Sequence, residues 1–174
     1  MKDNKKNIRR IVYSGIIAAL YVILTLPMAQ FAFGPIQFRL AEVLTVLPAF
    51  TPGFIPGVTL GCFLANLLNP TNLGPVDIIG GTVATLIAGI LSGLIGKKNK
   101  YLAIIPPILV NGVIVGGYLP FLLVDADSEV TAAAIGLSMF EVAASEAVLL
   151  AVIGIPLIIF INKTPSLKGL IEKV

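Results

Sequence analysis

The segment QFRLAEVLTVLP, residues 37–48, sets an arginine and a glutamate, Arg39 and Glu42, into otherwise oily sequence. In a helix the i, i+3 spacing brings both side chains to one face, within reach of each other. Charge inside an apolar chain is expensive and usually marks function. Two readings stand. The pair either neutralises itself as an internal bridge, or forms the wall of a binding site. An ion pair held in lipid adds little stability, which favours the second.

The surroundings of this segment decide the fold class. The chain of 174 residues is 57% hydrophobic and 12% charged, where a soluble domain carries about 25% charged residues. Mean hydropathy is +1.00, and the apolar runs are long and recurrent. These features predict an all-α integral membrane protein. Turn signals divide it into six transmembrane helices at about 11–33, 38–50, 54–68, 77–95, 101–124 and 132–161. Gly34-Pro35, Thr51-Pro52-Gly53, the stretch from Asn69 to Pro75, and Gly96 to Lys100 punctuate the runs. The predicted organisation is a basic cytoplasmic tail at 1–7, a membrane domain at 8–162 and a second cytoplasmic tail at 163–174. The first apolar run is too long for the core of a signal peptide and reads as a first span.

Orientation follows from charge. With six spans and the N-terminus inside, all but one of the 12 basic residues fall on the cytoplasmic side, as the positive-inside rule requires. Arg39 is the exception, on the outer side. The net charge of +3 is spread as topology signals between spans, so nucleic acid is not the expected partner. Asp125, Asp127 and Glu129 form an acidic outer loop.

The polar groups are also unevenly placed in depth. Gln37, Arg39, Glu42, Asn66, Asp77, Tyr118 and Glu141 fall in the outer half, while Asn111 and Glu146 lie deeper. An ion pathway needs polar residues through the full thickness. This distribution instead predicts a pocket open to the outside and closed below. Carboxylates, one guanidinium and several amides suit a small, flat, hydrogen-bonding molecule. One carboxylate can accept two parallel N–H bonds from an amidine-like edge, and a second can pair with a cationic substituent. Phe31, Phe33, Phe38 and Tyr118 can cover a planar ring. Asp77 has a simpler alternative, since an acid in a first helical turn complements the helix dipole. Glu141 and Glu146 are five residues apart and do not share a helix face. One faces the pocket and the other a partner or loop, with Glu146 favoured for the pocket.

In the first span, Ser14 with Ala18 and Gly15 with Ala19 are small-xxx-small pairs, suited either to internal packing or to a partner helix. Gly53, Gly57 and Gly61 give the third span a smooth face. Cys62 is the lone cysteine, so no internal disulfide forms, and with no histidine in the chain a Cys/His zinc site is excluded. Cys62 reads as a small buried packing residue. No phosphate-binding P-loop, zinc-protease or nucleophile-elbow motif is present. No cofactor or metal is expected, and the chain is not expected to be an enzyme. A solute binder without an ATP site needs an external motor.

The segment at 37–48 also resembles the second-helix signature of the QueT family. So do Gly61-Cys62 with Ala65-Asn66, the run from Gly80 to Leu86, Ser145-Glu146-Ala147, and the stretch from Gly154 to Leu157. The resemblance covers about residues 8–160. QueT proteins are similar to substrate-binding S components of energy-coupling factor transporters. That resemblance implies a six-helix S-component-like bundle in the cell membrane with both termini cytoplasmic. It implies a queuosine precursor of the 7-deazaguanine type as substrate. It also implies a transmembrane T component and two cytoplasmic ATPases as partners, docked on a small-residue face of the first helix. Alternatives are an S component for another vitamin, or a small proton-coupled membrane transporter.

Overall fold

The computed structural model describes residues 2–71, 73–124 and 129–171, with the side chains of residues 2–6 left out. Asp125 and Asp127 of the acidic loop therefore lie outside the described residues, as do Lys173 and the side chains of Lys2, Lys5 and Lys6. All regular structure among the described residues is helical.

Helix α1 (Lys2–Thr25) leads through a 3-10 turn into the short α2 (Ala29–Ala32). A 3-10 segment follows at Leu40–Ala49, and then α3 (Ile55–Leu67), α4 (Pro75–Gly96), α5 (Ile105–Leu123), α6 (Ala132–Leu149), α7 (Ile155–Lys163) and α8 (Pro165–Ile171). A short π-helical stretch, Leu150–Gly154, joins α6 to α7. Four stretches are long and apolar enough to cross a membrane: Asn7–Ala32, Pro75–Gly96, Lys100–Leu123 and Ala132–Lys163. Leu40–Ala49 and Pro52–Leu67 are apolar but shorter. The tail expected at 1–7 lies on the same helix as the first span, because α1 starts at Lys2.

The segment around Glu42 differs from the α-helix expected there. Arg39 stands outside the helix with extended backbone (φ −103°, ψ 98°), and the ten residues Leu40–Ala49 wind as 3-10. Two local causes act. Pro48 lacks an N–H and disfavours an α turn before it. Thr45 Oγ1 donates to the Glu42 carbonyl at 2.5 Å, competing for the backbone acceptor. The tighter winding rises about 2 Å per residue, so this short segment reaches further than an α-helix of equal length. The π-helical stretch has a similar cause: Pro156 cannot donate to the carbonyl four residues back, and the turn before it widens.

Eight of the ten residues of the 3-10 segment are buried, Glu42 among them. The segment packs against α1, α3, α4, α6 and the π-helical stretch. Ala41 and Leu44 join Ile17, Tyr21, Phe54, Val58 and Cys62 in one core cluster. Val46 joins Leu150 and Ile158 in another. Glycines allow the outer helices to close on each other. A Cβ on Gly57 would stand 3.0 Å from Ser14 Cα, and one on Gly61 would meet Tyr21 and Ala18. On α5, Gly112 and Gly116 face Ala143 and Met139 of α6 in the same way. Such contact drives helix association where lipid removes the hydrophobic force. Large apolar side chains, including Ile11, Ile16, Leu20, Ile79, Leu109, Phe140 and Val152, face outward. That is the surface a lipid-embedded bundle presents.

Candidate functional site

Two backbone irregularities place the polar groups. Gln37 has a positive φ of 52°, the sole non-glycine among the described residues to do so, and Arg39 is extended. The kinked entry turns both side chains inward, to 6% and 5% exposure. Arg39 Nη2 donates to Gln37 Oε1 at 2.9 Å, and Nη1 donates to Cys62 Sγ at 3.6 Å. The guanidinium lies over the Phe33 ring, 4.8 Å from its centroid. Glu42 Oε1 is 4.0 Å from Arg39 Nη1, an ion pair at its limit. Glu42 has a closer partner in Tyr21 of α1, whose hydroxyl donates to Oε1 at 2.5 Å.

Asn111 and Val115 of α5 and Val142 and Glu146 of α6 complete the cavity lined by Gln37, Arg39 and Glu42. It is nearly closed, with a cavity volume of about 10 Å³, about the room one water needs and far below the roughly 300–1,000 Å³ of pockets for drug-sized ligands. Asn111 shares this lining with both Glu42 and Glu146. Four buried polar atoms on this lining lack a hydrogen-bond partner: Gln37 Nε2, Arg39 Nε, Glu42 Oε2 and Glu146 Oε1. Buried polar atoms are rarely left so, because each costs about 1–3 kcal/mol. Two donors and two acceptors of this kind line one cavity.

A second polar group adjoins the first through Cys62. Asn66 Nδ2 reaches Cys62 Sγ at 3.7 Å and donates to the Asp77 carbonyl at 3.0 Å. Tyr118 OH donates to Asp77 Oδ1 at 2.8 Å. Asp77 is 1% exposed, and its Oδ2, Asn66 Oδ1 and Thr85 Oγ1 have no partner. Asp77 thus has a side-chain partner on α5, which complementing the α4 dipole does not require. Of Glu42, Glu146 and Asp77, only Glu42 comes within ion-pair distance of a guanidinium among the described residues.

Of the residues singled out from sequence, Gln37, Arg39, Glu42, Asn111 and Glu146 share the cavity, and Asn66, Asp77 and Tyr118 form the adjoining network. Glu141 stands apart, half-buried, on two surface grooves. One is bounded by Pro35 and Pro120, the other by Phe38 and Phe140. Phe33 covers the guanidinium, while Phe31 is exposed. The two small-residue pairs of α1 have separate settings. Ser14 and Ala18 pack against Gly57 and Gly61, whereas Gly15 has nothing within 4 Å of its Cβ position and Ala19 is exposed. Sequence reasoning missed Tyr21 and the polar contacts of Cys62. Tyr21 continues the face of Ser14 and Ala18 by one further turn, and that spacing was the available signal.

Comparison with known proteins adds two findings. The family model described as "QueT transporter" matches residues 11–163. A protein of Lactococcus lactis subsp. cremoris (strain MG1363), "Queuosine precursor transporter QueT", is 43% identical over 92 residues, 52% of this chain and 53% of the relative. The chain thus aligns with about half the length of that curated relative. No solved structure matches.

Proposed function

The chain belongs to the QueT transporter family, and from that premise we propose that it is the substrate-capture subunit of an ATP-driven energy-coupling factor importer for a queuosine precursor. The substrate is of the 7-deazaguanine type, bound in the cavity between Arg39, Glu42 and Glu146. One observation carries this: two free donors and two free acceptors, all buried, converge on one small cavity. Glu42 Oε2 suits the N–H groups of an amidine-like edge. Gln37 Nε2 and Arg39 Nε suit a ring carbonyl or nitrogen. Val115 and Val142 offer an apolar wall for a planar ring.

The remaining parts of the proposal concern the membrane and the motor. All six apolar helices cross the cell membrane, with both termini cytoplasmic. The 3-10 segment, at about 2 Å per residue, brings its ten residues to two thirds of a hydrocarbon core of about 30 Å. The cavity opens outward, since Arg39 alone among the basic residues falls on that side. A T component and two cytoplasmic ATPases supply the energy, and they engage α1 through Gly15 and Ala19. That pair fits the role because Ser14 and Ala18 are taken up by α3.

The test is equilibrium binding by the purified full chain with no other subunit present. It is expected to bind a 7-deazaguanine base and to ignore riboflavin, thiamine and biotin. Binding of one of those vitamins instead would replace the substrate assignment. Uptake by cells without any ATPase partner would overturn the energy-coupling assignment.

A further inference from the structure

We propose that the groove beside Glu141 is a binding site for a phospholipid whose headgroup carries an ammonium group, with Glu141 facing that group and an acyl chain lying below it. The groove is on the outside of the bundle and shares no residue with the cavity lined by Glu42 and Glu146.

The depth of Glu141 sets the kind of occupant. Ala132–Lys163 is an apolar stretch long enough to cross a membrane. At about 1.5 Å per residue, Glu141 and Lys163 stand about 33 Å apart along it, against a hydrocarbon core of about 30 Å. With Lys163 at one polar boundary, Glu141 reaches headgroup level at the other. The groove then follows one face of α6 toward the hydrocarbon. Ala144, Ser145 and Val148 succeed Glu141 at helical spacing, a descent of about 10 Å. Ile36 and Phe38, from the chain just before the 3-10 segment, line its other side. The groove holds about 330 Å³, and large apolar side chains on it, Ile36, Phe140 and Val148, are exposed.

An apolar furrow alone accepts any acyl chain, so selection falls to the charge. Glu141 makes no ion pair or hydrogen bond among the described residues. Arg39 is the one basic residue between 11 and 96 and is turned inward, at 5% exposure. The other basic residues lie at 2–10, 97–100 and 163–173, the last group at the far end of the same helical rod. Asp125, Asp127 and Glu129 add negative charge shortly before α6. A carboxylate at headgroup depth with no cation of its own attracts an ammonium and repels a headgroup of net negative charge. A second groove of about 200 Å³ also reaches Glu141 and is lined by Ser138, one turn away. Ser138 is 8% exposed, and its hydroxyl has no partner. That hydroxyl suits a phosphate oxygen as acceptor. A phosphate and an ammonium a few atoms apart are what an aminophospholipid headgroup presents.

The chain has no tryptophan, so Phe140→Trp places a single fluorophore on the groove. The full chain carrying Phe140→Trp is reconstituted in vesicles of equal parts phosphatidylethanolamine and phosphatidylglycerol, with bromine on the acyl chains of one lipid or of the other. Bromine quenches tryptophan on contact. Quenching should report about threefold to fivefold enrichment of phosphatidylethanolamine at the groove, the size of one charge contact at a membrane surface. Glu141→Gln in the same background should bring the two lipids to parity, and Glu141→Asp, which keeps the charge, should retain the enrichment. Equal quenching by both lipids with Glu141 in place overturns the proposal, and so does an enrichment that survives Glu141→Gln. Weak quenching by both means that a second copy of the chain covers the groove, and overturns it as well.

Discussion

Replacing Gly61 by alanine joins packing to the site. Alanine normally favours a helix over glycine by about 0.5–1 kcal/mol, so an open position would gain stability. Here the added Cβ falls 2.5 Å from Tyr21 Cβ and 2.9 Å from its Cγ, with Ala18 Cα at 3.1 Å. Carbon atoms prefer about 3.5–4.0 Å, so α1 or its tyrosine must retreat by roughly 1 Å. Tyr21 is fully buried and its hydroxyl sits on Glu42. A retreat of that size takes the O–H···O contact to the edge of hydrogen-bonding range, about 3.5 Å. Overpacking costs about 1–3 kcal/mol, and a hydrogen bond to a charged group is worth about 1.5–3 kcal/mol. The two terms share Tyr21 and do not simply add. After the helix gain, a net loss of about 2–4 kcal/mol is expected. Thermal unfolding of the purified chain in detergent should show a lower midpoint for Gly61→Ala. Ligand affinity should fall by about tenfold or more as Glu42 loses its tether. Gly15→Ala is the control, since nothing lies within 4 Å of that Cβ, and it should melt at or slightly above wild type. If Gly61→Ala melts and binds like wild type, α1 does not hold Glu42 through Tyr21, and the reasoning fails.

Further outcomes follow from other positions. Gly74 has φ 87° and ψ −177°, a region open essentially to glycine, so Gly74→Ala should cost about 1–3 kcal/mol in unfolding experiments. Gly15→Leu adds bulk to an open face of α1. It should leave binding by the purified chain unchanged and abolish uptake in cells carrying the energising subunits; normal uptake would move the docking face elsewhere. Tyr118→Phe removes the donor on Asp77 Oδ1 and should lower stability by about 1.5–3 kcal/mol, read as a shift in the unfolding midpoint.

Much of the site was legible because polar residues are rare in this chain and each needs a reason. Arg39, Glu42 and Glu146 stood out against apolar sequence, and the structure brings all three to one cavity. The spans at Pro75–Gly96 and Lys100–Leu123 were legible from length and turn residues. What lay between 37 and 50 was not. A short apolar run with charges three apart fits an α turn and a 3-10 turn equally, and only Pro48 and the Thr45 hydroxyl tip the balance. Tyr21 was legible as a packing residue from the face it shares with Ser14 and Ala18, but its partner Glu42 is 21 residues away, and nothing in the spacing names that partner. Cys62 is buried as expected, but its sulfur also touches Arg39 and Asn66 and links the two polar groups. The choice between Glu141 and Glu146 needed burial, with Glu146 enclosed and Glu141 on the surface grooves.

The most direct test of the central claim is the equilibrium dissociation constant of Glu42→Gln for a 7-deazaguanine base, measured beside wild type and Arg39→Ala. The glutamine keeps an acceptor for Tyr21 and so preserves the packing, while removing the charge that faces the cavity. Affinity is expected to fall on the order of 30-fold or more in both variants, the loss typical of a truncated buried charge contact. Wild-type affinity in both would mean that Arg39 and Glu42 serve only each other, and that the cavity between them is not where the substrate binds.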